Sequence, residues 1–292
     1  MIFSLLIFQV GRCNLNDDNS DPNIRSLPCS QKYLMKSYFE KHGSLLDSDF
    51  QDFLAHEFPL GSCKALPNNL NPMVRLSVLQ RHLIGQGSHR RLFSSMKFDI
   101  QLEAISELPA HFCEVVIIEK LPLGVFADPF ELQHLVQRGV FADAVVFGDT
   151  NLEVPSALSN RTVVEVHMDI GCNVLSRHEK GLEINIDLPL HSRYPPLEGN
   201  GYSRVEIGAA DLFTCCRIEE KSPQRNCLWM SIVQGSESKI GAVVWMIPSG
   251  IKAHAGAVSA VTFISALLST LLIVLSSIYS PNFNNFGNSK KS

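Results

Sequence analysis

The sequence predicts a mainly β protein: a β-sandwich-like lumenal domain, preceded by a short helical annex and followed by one transmembrane helix. Three observations predict it: several short runs alternate apolar and polar residues, helical spacing appears near the N-terminus, and a long uncharged run lies near the C-terminus. With 292 residues, 45% of them hydrophobic, the chain can form one good-sized domain with a smaller annex. We expect the annex to span residues 14–75 and the β domain residues 76–252.

Residues 1–13 have the features of a signal peptide. Residues 2–10 form a short apolar run, and Gly11 and Cys13 provide small residues of the kind found at a cleavage site. The run is short and has no basic residue before it, so an uncleaved apolar N-terminus is the alternative. The sequence therefore predicts entry into the secretory pathway.

The annex is predicted to be helical within residues 31–58. Ser48 and Gln51 form a capping-box pattern, which predicts that a helix begins there. Pro59 and Gly61 then interrupt regular structure, so the annex is expected to end before the β domain.

The β domain is predicted from two kinds of run. Runs that alternate as half-buried strands do are 98–105, 164–168 and 182–188. Apolar runs suited to strands covered on both faces are 113–121, 142–147 and 241–247. Weaker candidates are 202–207 and 228–233. Short strands separated by Gly, Pro and Asn are typical of a β-sandwich.

One short helix is predicted to interrupt the strands. Asp128 is a good N-cap, Pro129 suits the first helical position, and Glu131 completes a capping box. Gly139 suits the C-terminal stop. Asp128 and Glu131 could instead be an acid pair for glycosidic chemistry, but capping already accounts for both.

Residues 255–278 are predicted to cross a membrane. They carry no charge, and roughly 20 apolar residues are enough to span a bilayer. A buried helix of a soluble protein is disfavoured, because such a helix rarely lacks a polar face over this length. Ser259, Thr262, Ala266 and Ser269 form a stripe of small, weakly polar residues, which predicts a docking surface for another membrane helix.

The orientation is predicted from both halves of the chain. Asn160 begins the only N-x-S/T sequon in the sequence, which makes it a candidate for lumenal glycosylation. Together with the signal-like start, it favours a single-pass type I protein whose main domain is lumenal and whose residues 279–292 form a cytosolic tail.

Seven cysteines remain after Cys13, and an oxidising lumen favours pairing among them. Zinc is the competing interpretation, but no C-x-x-C pattern occurs and the adjacent Cys215 and Cys216 are poorly spaced for ligands. Disulfides or buried thiols are therefore preferred. The seven are Cys29, Cys63, Cys113, Cys172, Cys215, Cys216 and Cys227.

No motif predicts catalysis, a cofactor or a metal. The D-x-D pattern at residues 47–49 is common by chance, and residues 85–89 lack the third glycine of a phosphate loop. His82 and His89 have no third metal ligand at a convincing spacing. The net charge of −4 gives no reason to expect nucleic-acid binding.

Four stretches together resemble the phosphatidylinositol-glycan biosynthesis class X (PIG-X) family, whose pattern is G-x-x-H-R, then L-P-x-G-V-[YF]-x-D-P-[YF]-E-L, then P-x-H-x-R-Y. The stretches are residues 81–90, 121–132, 188–196 and 205–215. The resemblance covers about residues 76–278. Gly208-Ala209-Ala210 stands where the family commonly has a proline-rich turn.

The resemblance implies a non-catalytic subunit of GPI mannosyltransferase I in the endoplasmic reticulum membrane. Its partner would be the many-span class M subunit, which transfers the first mannose from dolichol-phosphate-mannose. We expect structural or partner-contact roles for His89, Arg90, Asp128, Pro129, His191, Arg193 and Tyr194. A lumenal hydrolase or transferase, and a type I membrane receptor or adhesion ectodomain without enzymatic activity, are the alternatives.

Overall fold

The computed structural model describes residues 33–57, 63–65, 74–100, 111–172, 182–218, 226–234 and 241–279. These residues belong to two compact units. The first comprises residues up to 196 together with 203–248, and the second comprises 197–202 together with residues from 249 onward. The mainly β fold expected from the sequence is confirmed.

In the described part of the chain, three short α-helices and thirteen strands precede one long C-terminal helix. The helices are α1 (Leu34–Phe39), α2 (Asp47–Asp52) and α3 (Pro129–Gln137). The strands are β1 (Cys63–Ala65), β2 (Val74–Ile84), β3 (His89–Ile100), β4 (His111–Lys120), β5 (Val125–Phe126), β6 (Asp143–Gly148), β7 (Thr162–Cys172), β8 (Leu182–Ser192), β9 (Tyr202–Ile207), β10 (Asp211–Ile218), β11 (Asn226–Ser231), β12 (Val233–Gln234) and β13 (Val243–Pro248).

The strands form two main sheets and a small ribbon. A six-stranded sheet has the order β1-β11-β10-β4-β7-β6, and a five-stranded sheet has the order β12-β2-β3-β8-β5. Strands β13 and β9 pair separately. Most pairings are antiparallel, whereas β1 with β11 and β12 with β2 are parallel.

The largest core lies between the two main sheets. Alternate residues of β4 and β7, such as Val115 and Val166, pack against residues of the other sheet, such as Leu92 and Ile186. Each of these side chains is almost fully buried. Burying apolar surface contributes roughly 25 cal/mol per Å² to folding, so this core holds the sandwich together.

A disulfide joins the centre of the six-stranded sheet. Cys113 of β4 and Cys216 of β10 are directly paired in register and are bonded to each other. Cys215 is disulfide-bonded as well. The expectation that cysteines pair is therefore confirmed for these three residues.

The outer face of the six-stranded sheet is covered by the N-terminal helices. Tyr38, Phe50 and Phe53 pack with Val116 and Phe213 in a second core. Apolar residues of β4 face both cores, which confirms that this strand is covered on both faces.

The predicted capping box at Ser48 is wrong. Helix α2 begins at Asp47 with Leu46 as its N-cap and continues into a π-helical turn. Ser48 Oγ instead donates to Asp49 Oδ1 at 2.9 Å. Burial of Leu45 and Phe50 under the sheet therefore outweighs the local capping pattern.

Two of the strand predictions differ from the structure. Strand β13 is covered on one face only, because its side chains alternate between buried and exposed. The strand predicted over residues 98–105 overlaps β3 as far as Ile100, and residues 101–105 lie outside the described part of the chain.

Gly85 and Gly87 have positive φ angles in the turn between β2 and β3, which makes this segment a hairpin turn.

A buried ion pair links the two main sheets. Arg81 of β2 donates to both carboxylate oxygens of Glu119 of β4, at 2.8 and 2.7 Å. The same guanidinium also donates to the carbonyl oxygens of Gly208 and Gly241. Burial raises the pKa of Glu119, whereas the charge and hydrogen bonds of Arg81 oppose that shift.

A second buried charge cluster attaches α1 to the six-stranded sheet. Glu165 of β7 accepts the backbone N–H groups of Leu34 and Met35, both at 2.8 Å. These groups open α1 and have no partner within the helix. His167 Nε2 lies 3.0 Å from Glu165, and His167 Nδ1 lies 3.7 Å from Glu114.

Among its described residues, the second unit contains one long helix, α4 (Ala255–Tyr279). A bridge between Glu198 and Ile251 and a 3₁₀ turn (Lys252–His254) precede it. The 28 residues of Lys252–Tyr279 are long and apolar enough to cross a membrane. The Thr262 hydroxyl donates to the Val258 carbonyl oxygen within the helix at 2.9 Å.

Candidate functional site

Three sequence motifs converge at one end of the five-stranded sheet. His89 opens β3, His191 lies near the end of β8, and the two residues are register partners. Phe126 of β5 pairs with His191 from the other side. Residues far apart in sequence are therefore neighbours because β5, β8 and β3 are adjacent strands.

Helix α3 brings an acidic residue to the same place. The Asp128 carboxylate accepts the backbone N–H of Phe130 at 2.9 Å, and Pro129 occupies the first turn. The N-cap prediction for Asp128 is confirmed. Gly139, with a φ of 73°, lies just after the helix, as predicted.

Glu131 contacts two histidines from the first turn of α3. Its Oε2 lies 2.9 Å from His191 Nε2, and its Oε1 lies 3.9 Å from His89 Nε2. The rings of His89 and His191 are 4.2 Å apart, and Phe126 stacks on His191 at 5.4 Å. The predicted role of Glu131 in a capping box is thus replaced by contacts with the sheet.

Arg193 binds the loop between β6 and β7, which adjoins the histidines. Its side chain is only 1% exposed, although it is charged. The guanidinium donates to the carbonyl oxygens of Asn151, Val154 and Asp149, and it lies 4.8 Å from the ring centre of Phe126. Five N–H donors in a fixed fork suit several acceptors at once. The geometry of Arg193 is that of a structural residue.

Asp149 organises the same loop. Its two oxygens accept the backbone N–H groups of Asn151 and Asn160, each at 3.0 Å. Burial opposes ionisation, but these hydrogen bonds and the nearby Arg193 hold the pKa of Asp149 below its usual value. Asn160, the sequon residue, is exposed at the end of this loop.

Arg90 has a separate environment. Its guanidinium lies 5.7 Å from the ring centre of Trp245 on β13. Trp245 is fully buried, and its Nε1 donates to the Gly87 carbonyl oxygen in the hairpin turn. Arg90 therefore packs β3 against β13 and does not join the histidine cluster.

Tyr194 differs from its neighbours because it is 87% exposed. Its carbonyl oxygen accepts the N–H of Ser156 at 3.0 Å, and Gly124 also lies against Ser156. Exposed apolar residues occur on these same segments, including Leu123 and Leu158. Tyr194, Leu123 and Leu158 are called the exposed loop patch below.

The D-x-D pattern does not gather metal ligands. Asp47 Oδ2 is paired with Arg161 at 2.9 Å, and Asp47 Oδ1 is 3.8 Å from Lys120. The hydrogen bond from Arg161 is the main reason why the pKa of Asp47 is lowered. Within the described residues, the group of three possible metal ligands is His89, Glu131 and His191.

A family model described as PIG-X / PBN1 matches residues 85–278. The match covers more than half of the chain and includes the residues His89, Arg90, Asp128, Glu131, His191 and Arg193 described above. This chain belongs to the PIG-X / PBN1 family. The expectation drawn from the sequence motifs is confirmed. Helices α1 and α2 lie outside the matched residues of the PIG-X / PBN1 family.

Curated relatives from mammals are similar to about two thirds of this chain. The chain is 26% identical over 215 residues to a human protein named "GPI alpha-1,4-mannosyltransferase I, stabilizing subunit". The similarity covers 68% of this chain and 78% of the human protein. Proteins with the same name from Mus musculus and Rattus norvegicus are also 26% identical, over 68% of this chain and 80% of each relative.

Sequence reasoning missed the partners of His89. The sequence spacing of His82 and His89 gave no third ligand, because Glu131 and His191 are distant along the chain. A signal was present: both residues lie in the family motifs of residues 121–132 and 188–196. Antiparallel pairing of β3 with β8 was needed to bring them together.

Proposed function

We propose that this chain is the non-catalytic, stabilising subunit of GPI mannosyltransferase I. The observation that carries the proposal is its membership of the PIG-X / PBN1 family, whose mammalian relatives bear that name. The motif geometry supports it. Arg193, Arg90 and Asp128 are engaged in packing and capping, which are structural tasks. The family match does not favour a receptor or adhesion ectodomain.

We further propose that the protein lies in the endoplasmic reticulum membrane as a single-pass type I protein with a lumenal β domain. Helix α4 supplies the span. Disulfides persist in oxidising compartments, and the Cys113–Cys216 bond lies at the centre of a main sheet. The signal-like residues 1–13 lie outside the described part of the chain.

Glycosylation of Asn160 tests this orientation. Asn160 is exposed, whereas Thr162 of the same sequon is buried and its hydroxyl donates to the Val125 carbonyl oxygen at 3.2 Å. Modification should therefore precede the packing of β7. Endoglycosidase treatment of microsomal protein should increase its mobility, and Asn160→Gln should abolish the shift. An unglycosylated wild-type protein would contradict a lumenal domain.

The partner we propose is the many-span class M catalytic subunit, contacted in the membrane through α4. Ser259, Thr262, Ala266 and Ser269 are exposed along this helix at spacings that place them on one face. In lipid, apolar bulk alone gives no preference for another helix, so small residues that permit close approach favour association. The Thr262 hydroxyl is already bonded within the helix, so its main contribution is shape.

We propose that Tyr194 contacts the partner outside the membrane as part of the exposed loop patch. An aromatic ring with a polar tip is enriched at protein interfaces. Arg193 would fix the patch from within. Tyr194→Ser should then lower complex yield without changing the Tm of the isolated subunit. Arg193→Lys should lower the Tm itself.

Co-purification tests the function and the docking face together. The chain and the class M subunit are co-expressed, and the complex is isolated in mild detergent. Wild type should retain the catalytic subunit and raise its abundance. Failure of wild type to do either would overturn the proposed function.

Replacing the four stripe residues together by leucine tests the helix alone. This change keeps the span and removes the groove, so it should reduce complex yield. The matched control replaces Val258, Val261, Ile264 and Val274 by leucine, which preserves the stripe. Normal yield from the stripe variant would contradict docking through this face and leave the lumenal domain as the contact.

A further inference from the structure

We propose that His89, Glu131 and His191 form a binding site for one divalent transition-metal ion, with zinc the best match. The site would use the side chains of β3, β8 and α3, and it goes beyond the stabilising function. Two imidazoles and one carboxylate are N and O donors that zinc accepts readily. Calcium and magnesium prefer sites built from oxygen atoms alone.

The strand register places the two histidines close together. The N–H of Ser192 donates to the Ser88 carbonyl oxygen at 2.7 Å, so Ser88 and Ser192 form a hydrogen-bonded pair. The next pair, His89 and His191, is therefore a non-hydrogen-bonded pair. Side chains approach each other most closely at such pairs.

The donor atoms are already near the distances that an ion needs. All three donors lie within 4.8 Å of one another. A tetrahedral zinc ion with bonds of about 2.0–2.1 Å holds its donors about 3.4 Å apart. The His191–Glu131 distance of 2.9 Å must open slightly, and the His89–Glu131 distance of 3.9 Å must close slightly. Side-chain rotation supplies both adjustments.

The surroundings favour a bound ion. His89, Glu131 and His191 have side chains that are 52%, 36% and 26% exposed, so an ion can enter from solvent. Phe126 stacks on the His191 ring and restricts its orientation. Three protein ligands leave one position for water, as in open zinc sites. The ion would connect α3 to two strands of the five-stranded sheet.

The competing explanation is a structural hydrogen bond between His191 and Glu131 alone. That bond does not need His89, whose nearest approach to Glu131 is longer than a hydrogen bond. His89 therefore distinguishes the two explanations. If only the hydrogen bond matters, His89→Ala and the wild type should show the same zinc content and the same response of the Tm to zinc.

The experiment uses the full chain purified in detergent after treatment with a chelator. Equilibrium dialysis against Zn²⁺, followed by elemental analysis, should give one zinc per wild-type chain. Zn²⁺ should also raise the Tm, because an ion that binds only the folded state stabilises it, whereas Mg²⁺ should not. Co²⁺ in place of Zn²⁺ should give the visible absorption of a four-coordinate site.

Three variants and one control complete the test. His89→Ala, His191→Ala and Glu131→Gln should each weaken zinc binding by about tenfold or more, since loss of a supporting group alone costs that much. Glu131→Gln keeps the side-chain shape, so it separates ligation from folding. His82→Ala, at an exposed histidine on β2, should bind zinc like wild type.

Two outcomes would overturn the proposal. One is a wild-type chain that binds no zinc and shows no rise in Tm. The other is an equal zinc content in wild type, His89→Ala and Glu131→Gln, which would place the ion elsewhere. Neither outcome bears on complex formation with the catalytic subunit, so the proposed function stands or falls separately.

Discussion

The two faces of the six-stranded sheet both carry buried charges, but they arrange them differently. On the inner face, Arg81 and Glu119 form a two-point ion pair, and Arg81 also bonds backbone carbonyl oxygens. On the outer face, Glu165 holds the start of α1 while His167 lies between two carboxylates. Glu114 Oε2 and His167 Nδ1 have no hydrogen-bond partner there.

The difference teaches what each site can respond to. The donors and acceptors of the Arg81–Glu119 pair are satisfied, so this pair links the two sheets without an unpaired polar atom. In the outer cluster some polar atoms are unsatisfied, so the protonation state of its side chains affects the stability of the packing around them. The outer cluster also attaches α1, which lies outside the family match, so the cluster with unsatisfied atoms is the one that holds the N-terminal annex.

The largest effect is expected at the inner pair. Arg81→Met should lower the free energy of unfolding by about 3–5 kcal/mol, because it leaves the Glu119 carboxylate buried without its partner. Urea unfolding of the chain in detergent measures this loss. Arg81→Met combined with Glu119→Leu should recover much of it. Arg91→Met is the control, since more than half of the Arg91 side chain is exposed and its pair with Asp187 should contribute less than about 1 kcal/mol.

The outer cluster should make stability depend on pH. Burial opposes protonation of His167, but the carboxylates of Glu114 and Glu165 raise its pKa from 6.5 to about 9. Stabilisation by the protonated ring is complete below pH 6.5 and is lost as pH rises through about 9. One pKa unit corresponds to about 1.4 kcal/mol, so the loss should reach about 3 kcal/mol. Burial also raises the pKa of Glu114, and a raised pKa in the folded state likewise makes stability fall as pH rises.

Unfolding measured from pH 6 to pH 9.5 checks this dependence. His167→Gln should flatten the profile across that range. A wild-type profile that is already flat would contradict a charged His167 in the folded protein.

Glu165→Gln should cost about 2 kcal/mol, since it replaces charge-assisted hydrogen bonds to two backbone N–H groups. The loss should be local, so amide exchange at Leu34 and Met35 should quicken before exchange in β4. Glu183→Gln, on the exposed face of β8, is the control. Equal acceleration in the helix and the sheet would show that α1 is not a separate unit of stability.

The smallest effect is expected at Glu114. Its burial raises the pKa of the Glu114 carboxyl, so the ionised form is costly, and this cost offsets much of what the carboxylate contributes by raising the pKa of His167. Glu114→Gln should change stability by less than about 1 kcal/mol. A loss as large as that of Glu165→Gln would remove the distinction between the two carboxylates.

Much of the fold could be predicted from local patterns. Alternation identified β7 and β8, an unbroken apolar run identified β4, and an Asp-Pro pair identified the start of α3. These signals are local because side-chain period and capping depend on neighbours in the chain. The long apolar run of α4 was equally clear.

The rest depended on contacts between distant residues. Strand β2 carries Arg81, whose burial is possible only because Glu119 faces it from the other sheet. Glu165 and His167 look like the polar side of an alternating strand, yet α1 covers them. The candidate metal site likewise needed the pairing of β3 with β8. Sequence period assigns a residue to a face, whereas topology decides what covers that face.

The position of β4 at the centre of the six-stranded sheet has a kinetic consequence. Its partner β10 follows 103 residues later at the disulfide-linked pair, and β11 joins only after β10. Folding slows as contacts become more distant in sequence. During synthesis, the edge of β4 that pairs with β10 therefore stays unpaired until nearly the whole domain has emerged. The apolar side chains on its two faces are incompletely covered until then. We expect this chain to depend on chaperones early, and to complete its sheet only shortly before α4 is made.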